Sequence, residues 1–248
     1  MANTTYLSLT NQLLRRLNEV TIDEADFTSA RGVQAMAKDV INASIQFINL
    51  TQFEWPFNAA QGTQVLTVGQ ETYSFPLNFK LVKWDSFYVE NDDALATQGG
   101  PLRFISLDEY NMYRRNTDDL SGTDGIRVPR YVFPAHGGGF GVSPSPDQAY
   151  TVKYEYFRQQ DPLVDYDDEP NIPTIYDETI IQGALYHFYM FRDNREQAAD
   201  AEKMFKMWVG QMRTVLINNE DAVRSGMIAW GGGSKFHGNL VNNTSFGV

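Results

Sequence analysis

Over the first fifty residues, apolar positions recur at helical spacing. Tyr6, Leu9, Leu13 and Leu17 lie on one stripe behind Thr4 or Thr5, either of which can cap a first helix. After a polar loop over residues 23–29, a second helix is predicted for residues 31–52. There Val33, Met36, Ala37, Val40, Ile41, Ser44, Ile45 and Ile48 share a face. Gln34, Lys38, Asp39, Asn42, Gln46 and Asn49 form the opposite face, expected to meet solvent or another subunit. The pattern breaks at Phe53-Glu54-Trp55-Pro56-Phe57. Pro56 has no N–H to donate and pushes Trp55 out of helical geometry, so the helix ends here. Three aromatics on such a corner carry too much apolar area to leave in water and are expected to seal a joint between layers.

Beyond Pro56 the period shortens to two. Gln64-Val65-Leu66-Thr67-Val68 and Thr72-Tyr73-Ser74-Phe75 flank Gly69 and read as a hairpin. Residues 81–89 read as one longer strand, with Val82, Trp84, Ser86 and Tyr88 alternating against Lys83, Asp85, Phe87 and Val89. Ser106-Leu107-Asp108-Glu109 fits a capping box for a short helix to about Arg115, and residues 116–126 read as a polar surface loop. Strands are expected at 130–133, near 140–142 and at 149–158, paired antiparallel because the connections are too short for helical crossovers. An acidic, proline-bearing connector over 160–173 leads to two more helices. The first, 175–192, carries Ile180, Ile181, Ala184, Leu185, Phe188 and Phe191. The second, 196–219, carries Ala198, Ala201, Phe205, Trp208, Val209, Met212, Val215 and Leu216.

The fold expected is α+β: a helical bundle built from the N- and C-terminal helices, an inserted antiparallel β-rich region, and an extended C-terminal arm. The divisions are 1–58, 59–173, 174–219 and 220–248. The arm holds three consecutive glycines, Gly231 to Gly233, but also Met227, Ile228, Trp230, Phe236, Leu240 and Phe246. It cannot build a core alone and is too apolar to serve only solubility, so it reads as a segment that orders on a partner. These six residues are the candidate partner-binding positions.

Composition narrows the function. The 248 residues include no Cys, which excludes disulfides, thiolate metal sites and cysteine nucleophiles. The net charge of −11 and the lack of a basic stripe disfavour tight binding to DNA or RNA, but suit an acidic wall that DNA slides past. No apolar run is long enough for a membrane span, and Met1-Ala2-Asn3-Thr4-Thr5 lacks signal-peptide character, so synthesis in the cytoplasm is expected.

Three patterns imitate active sites. His136-Gly137-Gly138-Gly139 copies an esterase oxyanion loop, but no G-x-S-x-G elbow accompanies it, and a flexible hairpin tip is the simpler reading. Asp165, Asp167, Asp168 and Glu169 cluster like a calcium loop, yet Pro170 and Tyr176 stand where such a loop needs glycine and a bidentate acid. The same acids lack the apolar pocket that sets a glycosidase acid apart from its base, so a solvated linker is expected. His136, His187 and His237 share no ligand spacing, and His187 reads as a hydrogen-bonded core histidine. Neither a metal nor a cofactor is expected, and the chain reads as a non-enzyme.

The opening Tyr6-Leu7-Ser8-Leu9-Thr10-Asn11-Gln12-Leu13-Leu14-Arg15-Arg16-Leu17-Asn18-Glu19 resembles the start of head-to-tail adaptor proteins of short-tailed bacteriophages, the gatekeeper or tail tubular A-type proteins. The likeness continues through the Val33 to Ile48 helix, the aromatic corner and the Tyr73-Ser74-Phe75-Pro76 segment, over about the first ninety residues. Residues 92–146 match nothing in it. The resemblance implies a dodecameric ring at the head–tail interface of the virion. Such a ring lies beneath the portal, touches a tail nozzle protein and tail fibres, and lines part of the DNA exit channel. No membrane is involved. The rival readings are a tail-borne glycan or cell-wall hydrolase, which would use Glu155, Asp167 or Glu169, and a fibre-attachment or adhesin module on the β region.

Overall fold

The computed structural model describes residues 4–52, 54–90, 99–117 and 128–217. Phe53, most of the loop expected at 116–126, and the whole arm with its six candidate residues lie outside them. The described chain is mixed α+β, with five α-helices and two sheets. It divides into two compact units, residues 58–161 and the remainder on either side.

Helices α1 (Tyr6–Arg16), α2 (Val33–Thr51), α4 (Asp177–Phe191) and α5 (Arg195–Leu216) belong to the first unit. Thr5 caps α1 by accepting from the Ser8 N–H at 3.3 Å, and Arg15 and Arg16 close its last turn, where the helix dipole favours cations. Asn194 caps α5 in the same way through the Gln197 N–H. All four helices contribute to one core that includes Leu9, Leu13, Ile41, Ile48, Ile180, Phe188, Phe205 and Met212. The spacing located these elements because burial selects one stripe on each helix. Phe191 departs from the stripe: it closes α4 at 78% exposure, since the core ends one turn earlier at Phe188. Val215 is likewise exposed in the last turn of α5.

Two close features shape this unit. Gly183 of α4 lies so near α2 and α5 that a Cβ there would stand 2.2 Å from Ser44 Oγ and 2.8 Å from Phe205 Cε2. Trp55 is fully buried, donates from Nε1 to the Ile48 carbonyl at 2.9 Å and stacks on Phe57. Trp55 and Phe57 therefore close the end of α2 within the first unit.

The polar face of α2 corrects the sequence reading. Asn49 is buried, and Lys38 donates to the Phe27 carbonyl and lies 4.1 Å from its ring centre. Asn42 holds both main-chain groups of Leu163: its Oδ1 accepts from the N–H and its Nδ2 donates to the carbonyl, each at 2.9 Å. Asn11 of α1 does the same for Ile22, at 2.8 and 2.9 Å. Each asparagine supplies one donor and one acceptor, like a residue of a strand. Each thereby pins a loop whose apolar side chain, Ile22 or Leu163, enters the core. Phe27, in the loop expected to be polar, is also buried and meets Tyr6 edge-on at 5.2 Å.

The second unit holds β1 (Ala59–Val65), β2 (Thr72–Ser74), β3 (Phe79–Val82), β4 (Tyr88–Val89), β5 (Gly100–Pro101), β6 (Arg103–Phe104), α3 (Leu107–Thr117), β7 (Tyr131–Ala135), β8 (Gly139–Ser143) and β9 (Thr151–Arg158). One sheet runs β1-β9-β4-β5 with β3 also on β9, and the other runs β2-β8-β7-β6. Tyr73, Phe87, Phe140, Val152 and Tyr154 form their shared core.

Three expectations fail here for local reasons. The Gly69 turn exists, with φ at 75°, but its arms do not pair. β1 joins β9 while β2 joins β8, so the chain changes sheet at the turn. The strand expected over 81–89 is broken by a 3-10 turn at Trp84–Ser86, which shifts the alternation and buries Phe87 and Val89 instead of Tyr88. Pairing is antiparallel except for β6 with β7, which is parallel because α3 supplies the crossover. Ser106 accepts from the Glu109 N–H at 3.1 Å and starts that helix as expected.

Candidate interaction surfaces

The sequence-derived positions do not converge on a reaction centre. His136, Gly137, Gly138 and Gly139 form the β7–β8 hairpin tip, where Gly137 and Gly138 take φ of 87° and 85°. Glu155 is an exposed β9 residue paired with Lys83 at 3.1 Å. Asp167 and Glu169 are exposed in the other unit. Among the described residues, no group of three or more His, Asp or Glu side chains is placed to hold a metal ion. No described helix is long and apolar enough to cross a membrane.

The acidic connector is an ordered part of the helical unit. Asp168 Oδ2 accepts from the N–H groups of Val164 and Asp165 at 2.6 and 2.8 Å. The carbonyls of Asp168 and Tyr166 take the Tyr6 and Leu7 N–H groups at 2.8 and 3.0 Å, satisfying free donors in the first turn of α1. Leu163 and Ile172 are buried on either side. The carboxylates of Asp165, Asp167 and Glu169 face solvent, as expected of a linker, while the backbone beneath them is fixed.

Some of the charge in the helical unit is paired internally. Arg16 makes a two-pronged bond to Glu178 at 2.7 and 2.6 Å, which raises the guanidinium pKa and holds the carboxyl below its usual range. One half of the Arg15-Arg16 doublet is thereby withdrawn from any role as a phosphate contact. Next to it, burial raises the pKa of Asp177, whose Oδ2 accepts from Thr4. Burial also lowers the pKa of His187. The imidazole sits edge-on to Phe47 with ring centres 6.0 Å apart, but among the described residues its buried Nε2 has no hydrogen-bond partner, so the hydrogen bond expected of this histidine is not found at that nitrogen.

What the helical unit does offer is apolar surface away from its core. Phe47 and Leu50 of α2 are 46% and 59% exposed, and Met190 of α4, with Met204 and Met207 of α5, are similarly open. Met204, Met207 and Val215 recur at i, i+3 and i+11, on one side of α5 beside its core stripe. Single exposed apolar residues are ordinary; these three share one side of the helix. The sequence places partner binding in the arm and on the polar face of the second helix, not on α5. The methionines at 204 and 207 were the available sign, since they fall off the 198, 201, 205, 209, 212 series.

No curated protein matches the chain. A family model described as SU10 adaptor protein matches residues 4–228, through the 92–146 stretch that sequence reading could not place. Met227 and Ile228 fall inside that span; Trp230, Phe236, Leu240 and Phe246 fall beyond it.

Proposed function

Because the chain belongs to the SU10 adaptor family of phage head-to-tail adaptors, we propose that twelve copies close a ring between portal and tail and line part of the DNA exit channel. The family role is structural, at the junction of head and tail in the virion. The observation that carries the proposal is the family match over residues 4–228. The helices at both chain ends, arranged as a bundle, form the frame of each subunit in this reading. A ring needs two different patches on each subunit, because a head-to-tail contact closes only by repetition. The apolar side chains that α2 and α5 leave open are suited to such contacts.

The arm, residues 220–248, docks on the portal, with Met227, Ile228, Trp230, Phe236, Leu240 and Phe246 as anchors. Aromatic side chains dominate the energetics of buried interfaces. The second unit faces the nozzle protein and tail fibres. DNA passes without sticking, because the net charge is −11 and Arg16 is tied to Glu178. Deleting residues 226–248 tests the arm: the truncated subunit folds, by circular dichroism, and no longer pulls down portal. Normal capture by portal would refute the assignment.

A further inference from the structure

α5 carries an exposed stripe beside its core stripe. Asp200, Met204, Met207, Gln211 and Val215 are all exposed, and their spacing of four, three, four and four residues sets them on one side of the helix. The middle of the stripe is apolar, and its N-terminal end is a carboxylate. Asp200 and the neighbouring Glu196 have no ion-pair partner among the described residues. Lys203 borders the stripe, Lys206 is tied to Glu202 at 2.5 Å, and Arg213 falls on the other flank of the helix.

Charge and connectivity select what covers this stripe. Residues 222–248 hold two basic side chains, Arg224 and Lys235, and no acidic one, whereas the preceding 221 residues hold 18 basic and 31 acidic. The end of the chain is therefore attracted to its own body, while a second copy, at net charge −11, is repelled by it. The segment also starts where the stripe ends. α5 closes at Leu216, next to Val215, and 31 residues follow Ile217. At 1.5 Å per helical residue, Asp200 lies about 25 Å back from Ile217, a distance that about eight extended residues span. Lys235, eighteen residues beyond Ile217, covers it with slack at Gly231 to Gly233.

We infer that in the free subunit the C-terminal segment folds back along α5, with Met227, Ile228 and Trp230 on Met207 and Met204, and Lys235 on Asp200. Tethering favours the contact. A short flexible linker gives an effective concentration of about 1 mM, so even an intrinsic Kd of about 0.1 mM leaves the segment closed roughly ten times as often as open. The fold-back hides a face otherwise open to neighbouring subunits. When portal takes the arm, the stripe is released, and the subunit becomes competent to join its neighbours only at the portal. That exchange rests on the proposed docking of the arm on portal; the contact in the free chain does not.

Trypsin digestion of the free full chain tests this, with cleavage read at Arg224 and Lys235 by mass spectrometry. The Met204→Gln/Met207→Gln variant makes the stripe polar and is expected to speed both cuts about tenfold while keeping the wild-type circular dichroism. Ile228→Ser/Trp230→Ser alters only the segment and is expected to do the same. Met112→Gln, at an exposed methionine of α3, is expected to leave the rates unchanged. Wild-type cleavage as fast as in the two double variants overturns the inference. So does protection that grows with protein concentration, which would place the segment on another copy, or an equal effect of Met112→Gln. No portal is present, so the two readings fail separately. A protected segment on a chain that portal does not capture refutes the portal role alone, and a freely cut segment on a captured chain refutes the fold-back alone.

Discussion

Replacing Gly183 with alanine tests the packing of the helical unit at its tightest point. The new methyl would stand 2.2 Å from Ser44 Oγ, which is buried and donates to the Ile180 carbonyl at 2.8 Å, and 2.8 and 3.1 Å from two ring carbons of Phe205. Forcing apart a packed core costs about 1–3 kcal/mol. Displacing Ser44 sacrifices a hydrogen bond worth about 1 kcal/mol. Against this, alanine is favoured over glycine inside a helix by about 1 kcal/mol. The net expectation is a loss of about 2 kcal/mol, or roughly 5 °C in the melting temperature of this unit. Gly210 of α5 provides the control, because nothing lies within 4 Å of a Cβ there and the residue is exposed. Gly210→Ala should gain about 0.5–1 kcal/mol. Thermal melts followed at 222 nm separate the two variants. Ser44→Ala removes the nearest obstacle, so the Ser44→Ala/Gly183→Ala double variant should lose about 1 kcal/mol less than the two single losses summed. If Gly183→Ala raises the melting temperature as Gly210→Ala does, the close approach of α4 to α2 and α5 is wrong.

Asn42→Ala leaves the N–H and carbonyl of Leu163 without their partners and should cost about 2–4 kcal/mol in urea unfolding. Asn42→Asp keeps the acceptor but aims a carboxylate at a carbonyl, so it should be no better; a loss below about 0.5 kcal/mol in either would show that the loop needs no clamp. His187 gives a pH signature. Burial lowers its folded-state pKa below the ordinary 6.5, so the unfolded chain takes up the proton first. Its contribution is fully present above 6.5 and is lost progressively as pH falls from there through the lowered value. His187→Gln should flatten this part of the stability profile relative to wild type, and parallel profiles would refute the burial of a neutral imidazole.

The long helices were legible because a buried stripe repeats every three to four residues and every turn adds evidence. β9 was legible for the same reason at a period of two: Val152, Tyr154 and Tyr156 are buried as their alternation demands. Pairing was not legible. Nothing local distinguishes a Gly69 turn that folds a hairpin from one that carries the chain between sheets, since the partners, β9 and β8, lie roughly ninety and seventy residues away in sequence. The Asn42 clamp was misread because amphipathic patterning counts asparagine as solvent-facing, and the Asn11 clamp was not anticipated. The better clue was positional. Asn11 and Asn42 sit inside helices, where asparagine is disfavoured unless its side chain has other work. The candidate surface on α5 had a positional clue too, since its exposed methionines could be found by subtracting the core stripe.

Native mass spectrometry of the full chain, alone and mixed with purified portal, tests the structural role most directly. Capture of the chain by portal in sets of twelve is the predicted result. A chain that remains free of portal at every ratio tested would contradict the account.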